Sequence, residues 1–178
     1  MDNYPDAVFV VLANSKKLQW RNTLQKRWIQ YSGEEIVKER ILWLGTLNSE
    51  EYLTMLLMGD IMLDPYPFGG GVTILESLAV CTPIVTIPTQ QTVPALADGM
   101  VITMSQGSQV GLDLAEEVAY MTVEYVDSLL VASKHIIESA AAYREVVGRT
   151  AWRLFDDEEV AVHWGEFFER AYRLTISK

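Results

Sequence analysis

DIMLDPYPFGGGVTILESLAVCTPIVTIP, at residues 60–88, is the stretch of sequence that decides the fold of this chain. It predicts a buried strand at 61–63, a glycine-rich turn at 69–71, a helix at about 74–80 and a buried strand at 84–87. This is a βαβ unit with its glycine turn where the first strand meets the helix. Since glycine has no Cβ, backbone amides in the turn can approach a ligand, and the helix start adds partial positive charge. The pattern predicts an anion site suited to the diphosphate of a nucleotide.

The segments before this unit continue the same alternation. Apolar runs at 7–12 and 41–44 predict parallel strands, and the first run is expected to be covered on both faces. A helix is predicted between them, capped by Asn14 or Ser15 and ended by Gly33.

A capping box at Asn48 and Glu51 predicts a further helix that runs to about Met58. The alternation of strands and helices predicts an α/β fold, a Rossmann-like open parallel sheet with helices on both faces. From about residue 112 the pattern is helical almost to the end, and the last helix is amphipathic. Since no linker or repeat interrupts the chain, the sequence predicts one domain over residues 1–178.

Composition narrows the classes of function. The formal net charge of −10 disfavours nucleic acid or an anionic membrane as a partner. A single cysteine, Cys81, cannot form an internal disulfide, so a cytoplasmic or nucleocytoplasmic compartment is expected. His135 and His163 with one cysteine make no zinc site, and no nucleophile or general base stands out. The sequence thus predicts no catalytic residue, no metal and no cofactor.

Two residues of the predicted helix have both a functional and a structural interpretation. Glu76 lies about one turn into the helix, where a carboxylate can accept both ribose hydroxyls of a nucleotide whose diphosphate occupies the turn. Thr73 can donate its hydroxyl to a phosphate. Alternatively, Thr73 caps the helix and Glu76 completes a capping box at the third helical position. The three glycines can also be only a flexible turn that binds no ligand, although three consecutive glycines cost backbone entropy on folding.

Other side chains carry weaker signals. Tyr52 can lay its ring beside a base or belong to the core. Asp64 ends a predicted strand, and an acid at that place is usually solvated or capping. Cys81 is expected to pack as a small hydrophobic side chain.

Taken together, these segments resemble the carboxyl-terminal lobe of two-lobed (GT-B) glycosyltransferases, most closely the O-GlcNAc transferase and SPINDLY-type family. Similarity is specific across 60–88 and weaker in the rest of the chain. The runs that carry it are RILWLG at 40–45, NSEEYL at 48–53, GDIMLDPYPFGGGVT at 59–73, LESLA at 75–79 and TPIVTIP at 82–88.

The resemblance implies a pocket for a nucleotide-sugar donor. It assigns Glu76 to the ribose, and Leu47 and Tyr52 to the base. The diphosphate is assigned to the glycine turn and the start of the helix, at Gly69, Gly70, Gly71, Val72 and Thr73. Many relatives have a histidine and a threonine where this chain has Gly71 and Val72, which implies weaker or different donor binding.

The implied function is donor binding for a protein O-glycosyltransferase, with UDP-GlcNAc as the donor and a GDP-sugar as the alternative. Relatives carry acceptor contacts and the proposed base on an amino-terminal lobe, and their donor lobe begins with a further strand. This chain is expected to lack both and to be inactive alone. Its expected partners are a nucleotide sugar, a protein acceptor, and an amino-terminal lobe or a second copy bound through exposed apolar surface. The alternatives are a catalytically dead remnant that serves as an interaction module, and a nucleotide-sugar epimerase lobe.

Overall fold

A computed structural model describes six segments of the chain, residues 6–13, 18–87, 92–106, 121–123, 126–155 and 158–176. They belong to two compact units, Met1–Tyr52 and Leu53–Lys178. The single domain predicted over 1–178 stays a prediction. Two predicted features lie outside the described residues, namely the cap at Asn14 or Ser15 and the helical pattern at 112–120.

The first unit pairs two short strands side by side. Its elements are β1 (Phe9–Leu12), α1 (Leu18–Ser32), α2 (Glu34–Arg40) and β2 (Ile41–Leu44). β1 and β2 are parallel, with Phe9 opposite Ile41. Helix α1 ends at Gly33 as predicted, because the backbone there takes a φ of 87°, a conformation that suits glycine. Helix α2 follows directly and was not predicted.

The prediction that β1 is covered on both faces is wrong. Phe9, Val10 and Leu12 are between 36% and 46% exposed. The physical reason is that an apolar run becomes a buried strand only where other elements cover it, and among the described strands β1 pairs with β2 alone. Packing in this unit instead centres on Trp43 of β2, whose ring stacks on Trp28 of α1 with centroids 5.5 Å apart.

A capping box opens the next helix, α3 (Ser49–Met58), as predicted. The Asn48 amide donates to Glu51 Oε2 at 2.8 Å, and the Glu51 amide donates to Asn48 Oδ1 at 2.9 Å. Two helix-start amides are thereby satisfied by side chains next to them in sequence.

The second unit contains the predicted βαβ unit followed by helices. Strands β3 and β4 are parallel, with Met62 opposite Ile84 and Leu63 opposite Val85. Thr86, which follows β4, forms a separate parallel bridge to Thr122. The elements are β3 (Met62–Leu63), α4 (Val72–Ala79), β4 (Ile84–Val85), α5 (Thr92–Ser105), α6 (Val126–Glu138), α7 (Ala140–Thr150), a short 3-10 helix (Ala151–Leu154) and α8 (Glu158–Ile176).

The α/β class with parallel strands and a helical carboxyl-terminal segment is confirmed. The described strands form two parallel pairs, β1–β2 and β3–β4. The predicted helical pattern is interrupted at Ser139, between α6 and α7. Among the described helices, none combines the length and apolar character that crossing a bilayer requires.

The core of the second unit surrounds α4 and β4. Ile74 and Leu78 of α4, four residues apart, are both buried on the same face of the helix. They pack with Ile84 and Val85 of β4 and with side chains of the later helices, including Val101, Met104, Ile136, Tyr143 and Val147. This burial holds the start of α4 at the carboxyl end of the strand pair.

Arg144 of α7 ties the end of α3 to the same core. Its guanidinium donates to the carbonyl of Leu57 at 3.0 Å, to the carbonyl of Gly59, and to Thr82 Oγ1 at 3.2 Å. Thr82 Oγ1 in turn donates to the carbonyl of Leu56 at 2.7 Å. The last carbonyls of α3, which have no partner within a helix, are satisfied in this way.

Candidate functional site

Asp64 anchors the glycine turn to the strand pair. Its carboxylate is buried, accepting the Gly70 amide at Oδ1 (2.6 Å) and the Thr86 hydroxyl at Oδ2 (2.8 Å). The Asp64 amide donates to the carbonyl of Val85 at 2.9 Å. Of the two expectations for this acid, solvation is wrong, because the side chain is buried. Its carboxylate instead binds an amide of the glycine turn. The turn is held at the carboxyl edge of β3 and β4, where ligands of parallel sheets bind.

Gly70 is required by packing within the protein. A Cβ at this position would lie 2.6 Å from Thr73 Oγ1 and 3.0 Å from Ile74 Cγ1. At Gly71, by contrast, the nearest atom to a Cβ would be Leu96 Cδ1, in ordinary contact at 3.8 Å. Gly70 therefore allows the helix start to pack against the turn, whereas the side of Gly71 is open.

The start of α4 excludes the capping-box alternative. The helix begins at Val72, two residues earlier than predicted, with Gly71 at the cap position and no side-chain capping bond. Thr73 is consequently the second helical residue and Glu76 the fifth, so the two cannot form a capping box.

Three consecutive amides at this helix start have no hydrogen-bond partner among the residues that the structure describes. The amides of Ile74 and Leu75 both donate to the Gly71 carbonyl, at 3.1 and 3.3 Å. Within the described residues, the structure gives no hydrogen bond from the amides of Gly71, Val72 and Thr73. Unpaired amides at the positive end of a helix are the chemistry that binds phosphate oxygens.

Glu76 lies on the same face of α4 as Val72, one helical turn further along the chain. It is half-buried, and it follows Val72 by four residues, so the two share a helix face at a distance of about 6 Å along the axis. Within the described part of the chain, its carboxylate makes no hydrogen bond or ion pair that would commit it to a structural role. The axial distance of about 6 Å between Val72 and Glu76 is comparable with the distance from a diphosphate to the ribose hydroxyls.

Backbone amides, and not basic side chains of residues 60–88, supply the positive potential of the site. Residues 60–88 contain no lysine, arginine or histidine, and they contain the acids Asp60, Asp64 and Glu76. An anion here would be held by amide dipoles and the helix terminus, against the repulsion of a buried carboxylate. Such a site favours a ligand that also offers hydroxyl donors, as a ribose does.

The two residues assigned to the base belong to the other unit. Leu47 follows β2 and Tyr52 lies in α3, both half-buried in the unit Met1–Tyr52. The glycine turn and Glu76 belong to Leu53–Lys178. The assignment of Leu47 and Tyr52 to a base stays a prediction.

Sequence reasoning missed the partnership of Asp64 with Thr86, although the sequence holds a signal for it. Asp64 directly follows Leu63, and Thr86 directly follows Val85. Because Leu63 and Val85 are opposite each other in a parallel pair, the next residue of each strand emerges at the same edge. An acid and a hydroxyl at those two positions are expected to meet.

Comparison with protein-family models and with curated protein sequences finds no match for this chain. Among solved structures, it is similar to a mutant of the O-GlcNAc transferase of Thermobaculum terrenum, with a TM-score of 0.73 and 17% sequence identity. The similarity covers 96% of this chain and 31% of that one, so this chain spans about a third of its length. At this identity the similarity shows the fold, which is O-GlcNAc transferase-like and fits the predicted GT-B architecture.

Proposed function

We propose that this chain is the donor-binding lobe of a protein O-glycosyltransferase and that it holds a nucleotide sugar at the start of α4. One observation carries the proposal: three adjacent helix-start amides, at Gly71, Val72 and Thr73, have no partner in the described structure. They lie on a turn that a buried carboxylate fixes at the carboxyl edge of a parallel strand pair. The O-GlcNAc transferase-like fold supports it.

The diphosphate oxygens accept hydrogen bonds from the amides of Gly71, Val72 and Thr73, and the Thr73 hydroxyl is a further donor. Gly70 does not contribute its amide, because Asp64 already accepts it. Gly69 is buried and Gly70 packs against Thr73, so both shape the turn rather than bind the ligand. The predicted five-residue diphosphate site thereby narrows to three residues, Gly71, Val72 and Thr73.

Glu76 accepts the ribose hydroxyls. UDP-GlcNAc is the proposed donor and a GDP-sugar is the alternative. The proposed acceptor is a protein hydroxyl. We place acceptor contacts and a general base on an amino-terminal lobe, so this chain alone binds donor without transferring sugar. A cytoplasmic or nucleocytoplasmic location belongs to the same proposal.

Calorimetric titration of the purified chain with UDP and with GDP tests this function. We expect saturable binding, and Glu76→Gln should weaken it by about tenfold, because a charged acceptor is lost. Glu145→Gln is the matched control, since Glu145 is an exposed glutamate of α7 that pairs with Arg149. If neither nucleotide binds at millimolar concentration, the donor site is not present.

Gly71→Ala tests whether the diphosphate binds at the open side of Gly71. The new Cβ meets nothing closer than Leu96 Cδ1 at 3.8 Å, so the fold should be unchanged. The methyl group should instead obstruct a diphosphate and weaken nucleotide binding. Gly99→Ala is the control, because a Cβ at Gly99 in α5 meets nothing within 4 Å. Equal nucleotide affinity in both variants would contradict diphosphate binding at this turn.

A second function, that of an interaction module, is favoured by a separate observation. Large apolar side chains are exposed along β1 and along α8. Apolar surface of this extent marks a contact with another macromolecule. A chain that associates with a partner and binds no nucleotide would favour this function over donor binding.

A further inference from the structure

The glycine turn and helix α4 belong to a long part of the sequence that contains no basic residue. Residues 41–133 include α3, the whole βαβ unit and α5, and they contain no lysine, arginine or histidine. The positive potential that this part of the chain offers an anion is therefore that of its backbone. The start of a helix supplies about half an elementary charge, which is less than the charge of any diphosphate.

Arg144 of α7, in the part of the second unit that follows, lies away from the turn. Its guanidinium donates to the carbonyls of Leu57 and Gly59 and to Thr82 Oγ1. Thr82 precedes β4, whereas the glycine turn follows β3. Because the two strands are parallel, Arg144 is held at the opposite edge of the strand pair.

The other basic side chains of this unit have contacts elsewhere or lie on α8. Those with contacts are Lys134 with Glu138, His135 with Tyr143, Arg149 with Glu145, and Arg153 with the Met104 carbonyl. Those on α8 are the exposed residues His163, Arg170 and Arg173, and Lys178 is outside the described residues. Among the described residues of this unit, none of these contacts brings a cation to the glycine turn.

Asp64 adds a negative charge beside the three amides. It is buried, and both of its oxygens accept, Oδ1 from the Gly70 amide at 2.6 Å and Oδ2 from the Thr86 hydroxyl at 2.8 Å. Gly71, the first of the proposed diphosphate donors, directly follows Gly70. A phosphate bound there lies within roughly 10 Å of the carboxylate, close enough for the two charges to repel in dilute salt.

Diphosphate ligands differ in how much of this repulsion they meet. Both phosphates of a nucleotide sugar are esterified, so each carries a single negative charge. A free nucleoside diphosphate ends in a phosphate monoester, which carries up to one further charge at neutral pH. At about 10 Å and an effective dielectric constant of about 20, one additional charge weakens binding by about tenfold.

We propose that this site selects a diphosphate esterified at both ends, as in a nucleotide sugar, over a free nucleoside diphosphate, and that the Asp64 carboxylate determines this specificity. The inference rests on the proposed donor site and adds the charge state of the ligand. Repulsion that is stronger for one ligand than for another is an effective source of specificity. A product nucleoside diphosphate carries the additional charge, so the same carboxylate favours its release.

Calorimetric titration of the whole chain with UDP and with the methyl ester of UDP at its terminal phosphate tests the selection. The ester has the charge of a nucleotide sugar but no sugar, so contacts to a sugar cannot contribute. In dilute buffer containing EDTA, we expect the ester to bind about threefold to tenfold more tightly than UDP. The difference should narrow in about 0.5 M salt, because the repulsion is screened. GDP and its methyl ester replace these probes if the site takes GDP.

Asp64→Asn tests the source of the selection. The asparagine can accept the Gly70 amide through its oxygen and donate to Thr86 Oγ1, so both contacts of the turn are kept without the charge. The preference for the ester should fall below about twofold, mainly because UDP binds more tightly. Asp60→Asn is the matched control, since Asp60 is an exposed acid that precedes β3 at the opposite edge, and it should keep the preference. Circular dichroism checks that both variants fold.

The outcomes separate this inference from the donor site itself. If neither UDP, GDP nor their esters bind at millimolar concentration, the donor site is not present. If UDP binds as tightly as its ester, the donor site stands and the selection by charge is wrong. If a folded Asp64→Asn chain keeps the full preference, Asp64 does not determine it. The comparison of UDP with its ester in the natural chain decides the selection even if Asp64→Asn does not fold.

Discussion

Helices α4 and α8 are both amphipathic, and they differ in what covers their apolar side. Leu78 of α4 is 1% exposed, whereas Leu174 of α8 is 66% exposed. The covered helix is held by β4 and the later helices, and Asp64 binds the turn just before its start. The uncovered helix presents aromatic side chains to solvent. Burial within the chain therefore accompanies the proposed ligand site, whereas the apolar side of α8 stays exposed.

Leucine-to-alanine changes on the two helices should give the largest difference. Leu78→Ala leaves a cavity in the core and should cost about 3 kcal/mol, lowering the melting temperature by roughly 6–12 °C. Leu174→Ala should change the unfolding free energy of the monomer by less than about 0.5 kcal/mol. Thermal unfolding at low protein concentration measures both. Similar losses would mean that α8 is packed in solution.

Alanine substitutions within the glycine turn should come next. Gly70→Ala forces a Cβ against Thr73 and Ile74, and should cost about 1–3 kcal/mol through overpacking. Gly71→Ala has room and should leave the unfolding free energy nearly unchanged. Chemical denaturation of the nucleotide-free chain measures the unfolding free energy of both variants. Equal stability would show that the turn relaxes and that Gly70 is not required for packing.

Loss of the Asp64 carboxylate should have an intermediate effect. Asp64→Ala leaves the Gly70 amide and the Thr86 hydroxyl without their acceptor, at a cost of about 1–3 kcal/mol. Hydrogen exchange of the Gly70 amide should accelerate more than that of the α7 amides. Thr86→Val removes only one of the two bonds and should cost less. Unchanged exchange at Gly70 would contradict the anchoring role.

The exposed ion pair of α2 should have the smallest effect and sets a baseline for surface charge. Lys38 lies 2.9 Å from Glu34, and the hydrogen bond and charge of Lys38 hold the pKa of Glu34 below its ordinary value of 4.5. The same contacts raise the pKa of Lys38 above 10.5.

Stabilisation by this pair is therefore full between those values. It is lost as pH falls through the lowered pKa of Glu34 or rises through the raised pKa of Lys38. Lys38→Gln should cost little at neutral pH and nothing in acid, as measured by thermal unfolding across pH. A larger loss in acid would contradict this sign.

Much of the fold could be predicted because its signals are local. Asn48 and Glu51 form the predicted capping box, and Gly33 ends α1 through its own left-handed backbone. The start of α4 was placed two residues late because Gly71, which has no capping side chain, was not recognised as the cap position. At the site, Glu76 was singled out from sequence, whereas the acceptor of the Gly70 amide was not.

What the sequence determined by itself was the order of elements, the βαβ unit and the periodicity of each helix, since those depend on residues within a few positions of one another. Tertiary structure alone decided which apolar residues are covered. The valine, leucine and aromatic side chains of β1 and α8 are as apolar as those of the core, yet they remain exposed. It also set the register of β3 and β4 that brings Asp64 to Thr86. Burial and side-chain pairing depend on elements brought together from distant parts of the chain, and no local pattern contains that information.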